Sequence, residues 1–373
     1  MAAQAMDHKE WLAKLVAFDT TSRNSNLDLI HYCKEYLEGL GVKCTLVHNA
    51  EKTKANLWAT LPGDGGVTDG GIILSGHTDV VPVDGQKWDS DPFTLTEKDG
   101  RLYGRGTSDM KGFVAVAMSL TPEFLRMRRA KPIHFAWSYD EEVGCLGGKV
   151  LAEFLRDNNI KADGCIVGEP TGMLVRTGNK VIARWQISVF GKEMNSLFSL
   201  PEGDVDITDY VSKVILKVSD LVNNGAYFDV DNEDSASLRM SSNGVGKEKT
   251  DPSILPADCK FFFECYPPSS KYVPWLLFLV QEYVDKELLP SLRMEFPDAC
   301  MEVDVLCSSA VINSREQLEQ PQGGPFFLSS FHSKESFNNH NSMEFVRLDD
   351  TFELRNFLLR EVALVSRGCD SHL

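Results

Sequence analysis

No C-x-x-C pair occurs among the nine cysteines, which run from Cys33 to Cys369 and are odd in number. That argues against a dense disulfide framework, and reduced thiols in a cytoplasmic protein are expected. Long hydrophobic runs are missing too. Trp275-Leu276-Leu277-Phe278-Leu279-Val280, the most apolar late stretch, is far too short to span a bilayer. The first residues, Met1 to His8, show no basic segment leading into an apolar core, so neither a signal peptide nor a membrane partner is expected. Basic charge is scarce, with 38 Lys and Arg against 54 Asp and Glu, a formal net charge of −16. A nucleic-acid partner is disfavoured by that balance, which suits a cation site built from carboxylates. No internal repeat is present. The remaining composition, 43% hydrophobic and 25% charged, is that of an ordinary globular protein. At 373 residues the chain exceeds one comfortable core, and two domains are expected.

Three short apolar runs end in polar, metal-capable residues. Ile72-Ile73-Leu74 leads through Ser75-Gly76 to His77 and Asp79. Ile133 to Tyr139 leads to Asp140-Glu141-Glu142, and Cys165-Ile166-Val167 leads to Gly168-Glu169. Such runs read as buried parallel strands, and open α/β sheets bind ligands where their strands end. Helical spacing of Trp11, Leu12, Leu15, Val16 and Phe18 predicts a first helix, and Asn26 is placed to cap a second that Gly41 stops. Phe113–Leu120 and Gly147–Asn158 complete a strand–helix alternation over roughly 170 residues. The predicted architecture is a doubly wound α/β domain with a mostly parallel sheet.

The pattern changes near Lys180. Val181 to Phe190 alternates like a half-exposed strand, Ile207–Val222 reads as a helix, Lys260–Cys265 as a strand and Pro274–Leu289 as a helix. The domains expected are therefore 1–180 with 291–373, carrying the site, and an inserted α+β domain at 181–290.

Taken singly, each candidate has a plain explanation. His77 fits a satisfied buried histidine, Asp109 a helix cap or first-turn acid, and Glu141-Glu142 an acidic helix start. Together they exclude one another's company unless cations hold them, because uncompensated charges do not share a crevice. The candidate ligands are His77, Asp109, Glu142 and Glu169, with a second imidazole wanted from the C-terminal part. A nitrogen and oxygen set without thiolate suits zinc in a catalytic site, with cobalt or manganese in its place. Charge counting favours two divalent ions over one, since three carboxylates would leave a single ion's site negative. Asp79 can accept the second imidazole N–H of His77 and fix its tautomer. Glu141 remains free to move a proton.

Four stretches carry a resemblance: Ser75–Gly85, Gly104–Gly112, Asp140–Gly147 and Val167–Thr171. They are similar to the co-catalytic zinc aminoacylases and peptidases, a family that includes acetylornithine deacetylase, succinyl-diaminopimelate desuccinylase and glutamate carboxypeptidase. The loop Phe18–Asn26 and the segment Val47–Glu51 look most like the acetylornithine deacetylase branch. The resemblance implies a bridging Asp109, one zinc held by His77 and Glu169, and the other held by Glu142 and a C-terminal His. It also implies Glu141 as base and a homodimer formed through the inserted domain. His340, followed by Glu344-Phe345, fits the register of the last ligand, with His332 as runner-up. The implied activity is hydrolysis of N2-acetyl-L-ornithine to ornithine and acetate in arginine biosynthesis. The alternatives are a desuccinylase, aminoacylase or dipeptidase with a shifted substrate, or a metal-binding homologue of low activity. Departures fall beyond residue 190. Asn195 stands where the family offers an oxyanion-stabilising His, Tyr266 where a substrate-carboxylate Arg is expected, and Ser253 where an Asn is expected. Loss of an oxyanion donor costs about 2.7–4 kcal/mol, part of which an Asn can recover.

Overall fold

The computed structural model describes residues 6–171, 183–190, 194–195, 207–223, 237–241, 254–255, 258–266, 272–308, 326–328 and 344–366. It divides into two units, Met1–Gly178 with Asn313–Leu373, and Asn179–Ile312. The first unit opens with α1 (His8–Val16), α2 (Leu27–Gly39), β1 (Lys43–His48), β2 (Ala55–Leu61) and β3 (Ile72–His77). Next come β4 (Thr96–Lys98), β5 (Arg101–Tyr103), α3 (Lys111–Arg126), β6 (Ile133–Ser138), α4 (Leu146–Asp157) and β7 (Gly164–Val167). The second unit holds β8 (Ala183–Phe190), β9 (Met194–Asn195), α5 (Ile207–Asn223), β10 (Ser237–Ser241), β11 (Ile254–Leu255) and β12 (Asp258–Tyr266). It ends with α6 (Tyr272–Tyr283), α7 (Leu289–Glu295) and β13 (Cys300–Ser308). The chain returns to the first unit through β14 (Phe326–Leu328), β15 (Phe345–Arg347) and α8 (Leu348–Ser366).

The main sheet has the order β1-β2-β6-β3-β7-β14. Strands β6, β3, β7 and β14 run parallel, while β2 lies antiparallel to both β1 and β6. Side chains alternate between its faces. Ile72, Leu74, Phe135, Trp137 and Ile166 join a core with α1, α2, α3 and α8, whereas Ile73, Trp58 and Ala136 pack with Leu151 and Phe154 of α4. Both faces are covered, as parallel strands with apolar side chains on each side require. The α/β fold expected from the strand–helix alternation is the one observed.

Two local expectations change. Helix α1 is nucleated by a capping box between Asp7 and Glu10 and ends at Val16, with Phe18 packed beside the core from the following loop. Asn26 occupies the N-cap position of α2 but makes no capping bond. Its amide nitrogen donates instead to Ala55 O at 2.9 Å and Thr78 Oγ1 at 3.0 Å, and its oxygen accepts from Ala55 N at 3.1 Å. A residue read as a helix start is thus a tie between β2 and the turn after His77.

In the second unit, four antiparallel strands in the order β10-β12-β8-β13 share a core with α5, α6 and α7. The boundary expected at 290/291 falls instead at 312/313. The reason is β13, which pairs along β8 from Cys300↔Phe190 to Ser308↔Ala183 and buries Met301 and Val303 with Trp185 and Ile187. Among the described residues no helix is long and apolar enough to cross a membrane. Cys33, Cys44, Cys145, Cys165, Cys265 and Cys300 are free thiols.

Candidate metal centre

Strand β3 lies between β6 and β7, with His77 opposite Ser138 and Ser75 opposite Val167. This register makes His77, the turn Tyr139–Glu142 and the segment Gly168-Glu169 leave adjacent strands at the same edge. Asp109 reaches that edge from the turn preceding α3. Its Oδ1 lies 3.0 Å from His77 Nε2, and Glu141 Oε2 lies 4.0 Å from the same nitrogen. Two groups of donors result, His77 with Asp109 and Glu169, and His77 with Glu141 and Glu142, each with its ligand atoms within 4.8 Å of one another. His77 belongs to both.

His77 is a buried histidine with both ring nitrogens partnered, but the plain alternatives for the acids do not hold. The N-cap of α3 is Met110, without a side-chain cap, so Asp109 does not serve as one. Helix α4 starts only at Leu146 and has no acid in its first turn, so Glu141 and Glu142 are not dipole-stabilising residues. Close packing sets Glu169. A Cβ on Gly168 would lie 2.0 Å from Phe113 Cγ, so only glycine lets the backbone pass the ring and deliver the next carboxylate.

Asp79 works differently from the expectation. His77 Nδ1 is 2.9 Å from the Asp79 main-chain oxygen and 3.5 Å from its carboxylate, so the carbonyl takes the imidazole proton. With that proton held on Nδ1, the neutral ring would offer its Nε2 lone pair to a cation, and the charged ring donates from Nε2 to Asp109 Oδ1 at 3.0 Å. The Asp79 carboxylate accepts from Ser22 Oγ at 2.7 Å, Glu141 N at 3.0 Å and Glu142 N at 3.2 Å. It therefore positions the turn that carries both glutamates.

Burial alone would lower the His77 imidazole, but the carboxylates of Asp109, Asp79 and Glu169 overcome it and hold the group well above its ordinary value. Burial pushes the Glu169 carboxyl well above the usual carboxylate range. His77 opposes that shift, and the charges of Asp109, Glu141 and Glu142 add to it. Glu141 is raised for the same reasons, burial first. Gathering this many acids in one buried place is costly without positive charge. Divalent cations supply it, and the donor chemistry fits them, because both groups offer imidazole nitrogen and carboxylate oxygen and no thiolate. Ligands around a cation at about 2.0–2.2 Å lie roughly 3.3–4.4 Å apart. The separations here need only small side-chain adjustments.

Further residues join the site in roles that sequence spacing did not single out. The Lys54 ammonium pairs with Asp140 at 2.5 Å and also donates to the Ser22 carbonyl, tying the glutamate turn to the Ser22 loop. Glu344, noted from sequence only as marking the register of His340, is fully buried and bonded to the turn holding Asp109. Lys111, also buried, donates to Phe18 O at 2.8 Å. His340, His332 and Ser253 lie outside the described residues. Asn195 pairs with Ile254 in the β9–β11 ladder, and Tyr266 pairs with Ser237, both in the second unit.

An α/β sheet whose strand ends collect an imidazole and carboxylates defines a divalent-metal protein of the kind that binds at the carboxyl edge of its strands. The chain matches peptidase family M20/M25/M40 over residues 73–330 and belongs to that family. It is similar to the acetylornithine deacetylase of Aliivibrio salmonicida, 33% identical over 223 residues, covering 58% of this chain and 56% of that protein. The Pasteurella multocida acetylornithine deacetylase is 37% identical over 173 residues, 46% and 44% of the two chains. That of Myxococcus xanthus is 33% identical over 261 residues, 69% and 66%. The chain spans about half the length of the first two of these relatives. Human carnosine dipeptidase 1 has a TM-score of 0.70 at 15% identity, covering 96% of this chain and 97% of that one. A dinuclear metal-binding peptidase from Bacillus subtilis has a TM-score of 0.57 at 12% identity, covering 96% and 98%. At those identities the shared property is the fold.

Proposed function

We propose that this chain is a metal-dependent amide hydrolase acting on an N-acylated amino acid, with N2-acetyl-L-ornithine as substrate and ornithine and acetate as products, in arginine biosynthesis. The observation that carries the reading is the pair of overlapping donor groups centred on His77. In this assignment His77, Asp109 and Glu169 would hold one cation, and Glu142 with Asp109 and His340 would hold the other. Zinc is the physiological metal and cobalt a working substitute. His340, followed by Glu344-Phe345, keeps the register of the family's last ligand, and His332 is the runner-up. Similarity to acetylornithine deacetylases supports the substrate. The enzyme works in the cytoplasm as a homodimer assembled through the second unit.

Bound divalent ions would polarise the substrate carbonyl and acidify water. The protein's own contribution centres on Glu141. Its side chain is 37% exposed, open enough to exchange protons with solvent. Burial, opposed by His77, and the neighbouring acids Glu142 and Asp109 raise its carboxyl above the ordinary value in the metal-free protein. Glu141 takes a proton from the attacking water and returns it to the amine nitrogen as the C–N bond breaks. Asp79 holds the Glu141 backbone during that exchange. Asn195 stands in the sequence where the family has an oxyanion-stabilising His, and its amide is a neutral hydrogen-bond donor.

Metal content by mass spectrometry together with acetate release from N2-acetyl-L-ornithine tests the reading. The loaded protein should carry two metals and release acetate, and Glu141→Gln should lower kcat by about 10²–10⁴ without loss of metal. No acetate from the loaded protein, or equal turnover by the variant, sinks it. A panel of succinylated, other acylated and dipeptide substrates reads the specificity, and a low rank for acetylornithine overturns the substrate assignment.

A further inference from the structure

Glu344 lies more than 230 residues from the turn it touches, and every part of its carboxylate is engaged. Oε1 accepts from Ser108 N at 2.9 Å and Asp109 N at 3.1 Å, while Oε2 pairs with Arg105 Nη1 at 2.6 Å. Side chains of both charged partners are 1% exposed. Arg105 is fixed in turn, donating from Nη2 to Gln86 Oε1 at 2.7 Å and stacking over Trp88 with its guanidinium carbon 5.1 Å from the ring centroid. A buried carboxylate with no solvent access keeps its charge only while such partners stay in place. The bonds therefore define one position for the Ser108-Asp109 peptide. The Asp109 side chain, rooted in that peptide, points to His77.

We propose that Glu344, held by Arg105, is a positioning residue of the metal centre, fixing the Asp109 main chain so that the Asp109 carboxylate can be shared between two cations. This rests on the metal-centre reading above. The role is indirect, because Glu344 touches neither cation nor substrate. It differs from a purely structural tie in its target, since both amides it holds belong to the turn presenting the ligand.

The test uses the full chain stripped of metal and titrated with Co2+ alone, following the cobalt absorption band, with calorimetric unfolding of the apo protein in parallel. Glu344→Ala should weaken cobalt binding by about 10- to 100-fold, the usual cost of removing a group that orients a ligand. Glu344→Gln keeps an oxygen for the two amides but loses the charge on Arg105. It should fall between wild type and Glu344→Ala in affinity and keep two bound ions, and it carries the test should Glu344→Ala fail to fold. An affinity and band unchanged in whichever variants fold, with only a lower apo Tm, reduces Glu344 to a structural residue and overturns the proposal. Absence of cobalt binding by the wild type overturns the metal-centre reading itself, and this inference with it.

Discussion

Gly168→Ala is the smallest change that should dismantle the centre without touching a ligand. The added methyl would meet three Phe113 ring atoms at 2.0, 2.3 and 2.5 Å, far inside van der Waals contact. Neither side can step back easily. Gly168 N is bonded to Ser75 O at 3.1 Å, and the buried Phe113 ring stands edge-on to Trp137. Overpacking of this kind costs about 1–3 kcal/mol. For a domain of this size each kcal/mol lowers Tm by about 2–4 °C. The displaced strand end should carry Glu169 away from Asp109 and His77, so cobalt affinity should fall as well. Phe113→Ala alone should cost about 3–5 kcal/mol through the cavity it leaves. In the double variant the new methyl enters that cavity, so the two losses should fall short of additivity by about 0.5–3 kcal/mol. Calorimetry on the four proteins gives the coupling, and cobalt titration gives the site. Strict additivity, or a Gly168→Ala protein with wild-type Tm and affinity, would falsify the close-approach argument.

Two further outcomes follow from the geometry. Asp79→Asn replaces an acceptor of two backbone N–H groups by an amide that can serve one, so kcat should fall while two metals remain bound; metal loss in step with activity would point back to a direct action on His77. Burial pushes the Lys111 ammonium from 10.5 down to about 7. Between those values the unfolded chain binds the extra proton, so apo stability from this group should rise with pH across the window and be lost again as pH falls toward 7. Lys111→Met should flatten that slope relative to wild type in calorimetric scans, and parallel profiles would remove the lysine from the account.

The strands that carry the site were legible because each is a short apolar run ending in chemistry, and the order β6-β3-β7 then places their ends together. The glutamate pair and Asp109 were ambiguous one at a time and became informative only as a set. What stayed hidden has a common cause in hydrogen bonds that sequence spacing does not encode. Asp79 sits two residues from His77, which suggests a carboxylate–imidazole bond, yet its carbonyl makes the contact and its carboxylate serves two amides across the sheet. Asn26 has the composition of a helix cap and is used elsewhere. The domain boundary was misplaced because β13 is local in sequence to the first domain's expected return but pairs with β8, about a hundred residues earlier.

The separation of 239 residues between Arg105 and Glu344 has a consequence for how the protein is made. Ribosomes extend chains at about 5–20 residues per second, so Glu344 is translated roughly 10–50 s after Arg105. Throughout that interval the nascent Asp109 turn lacks its clamp, and a half-made chain presents a slack acidic pocket in place of a tuned one. With Glu344 in the proposed positioning role, loading of the centre would await the docking of the C-terminal segment.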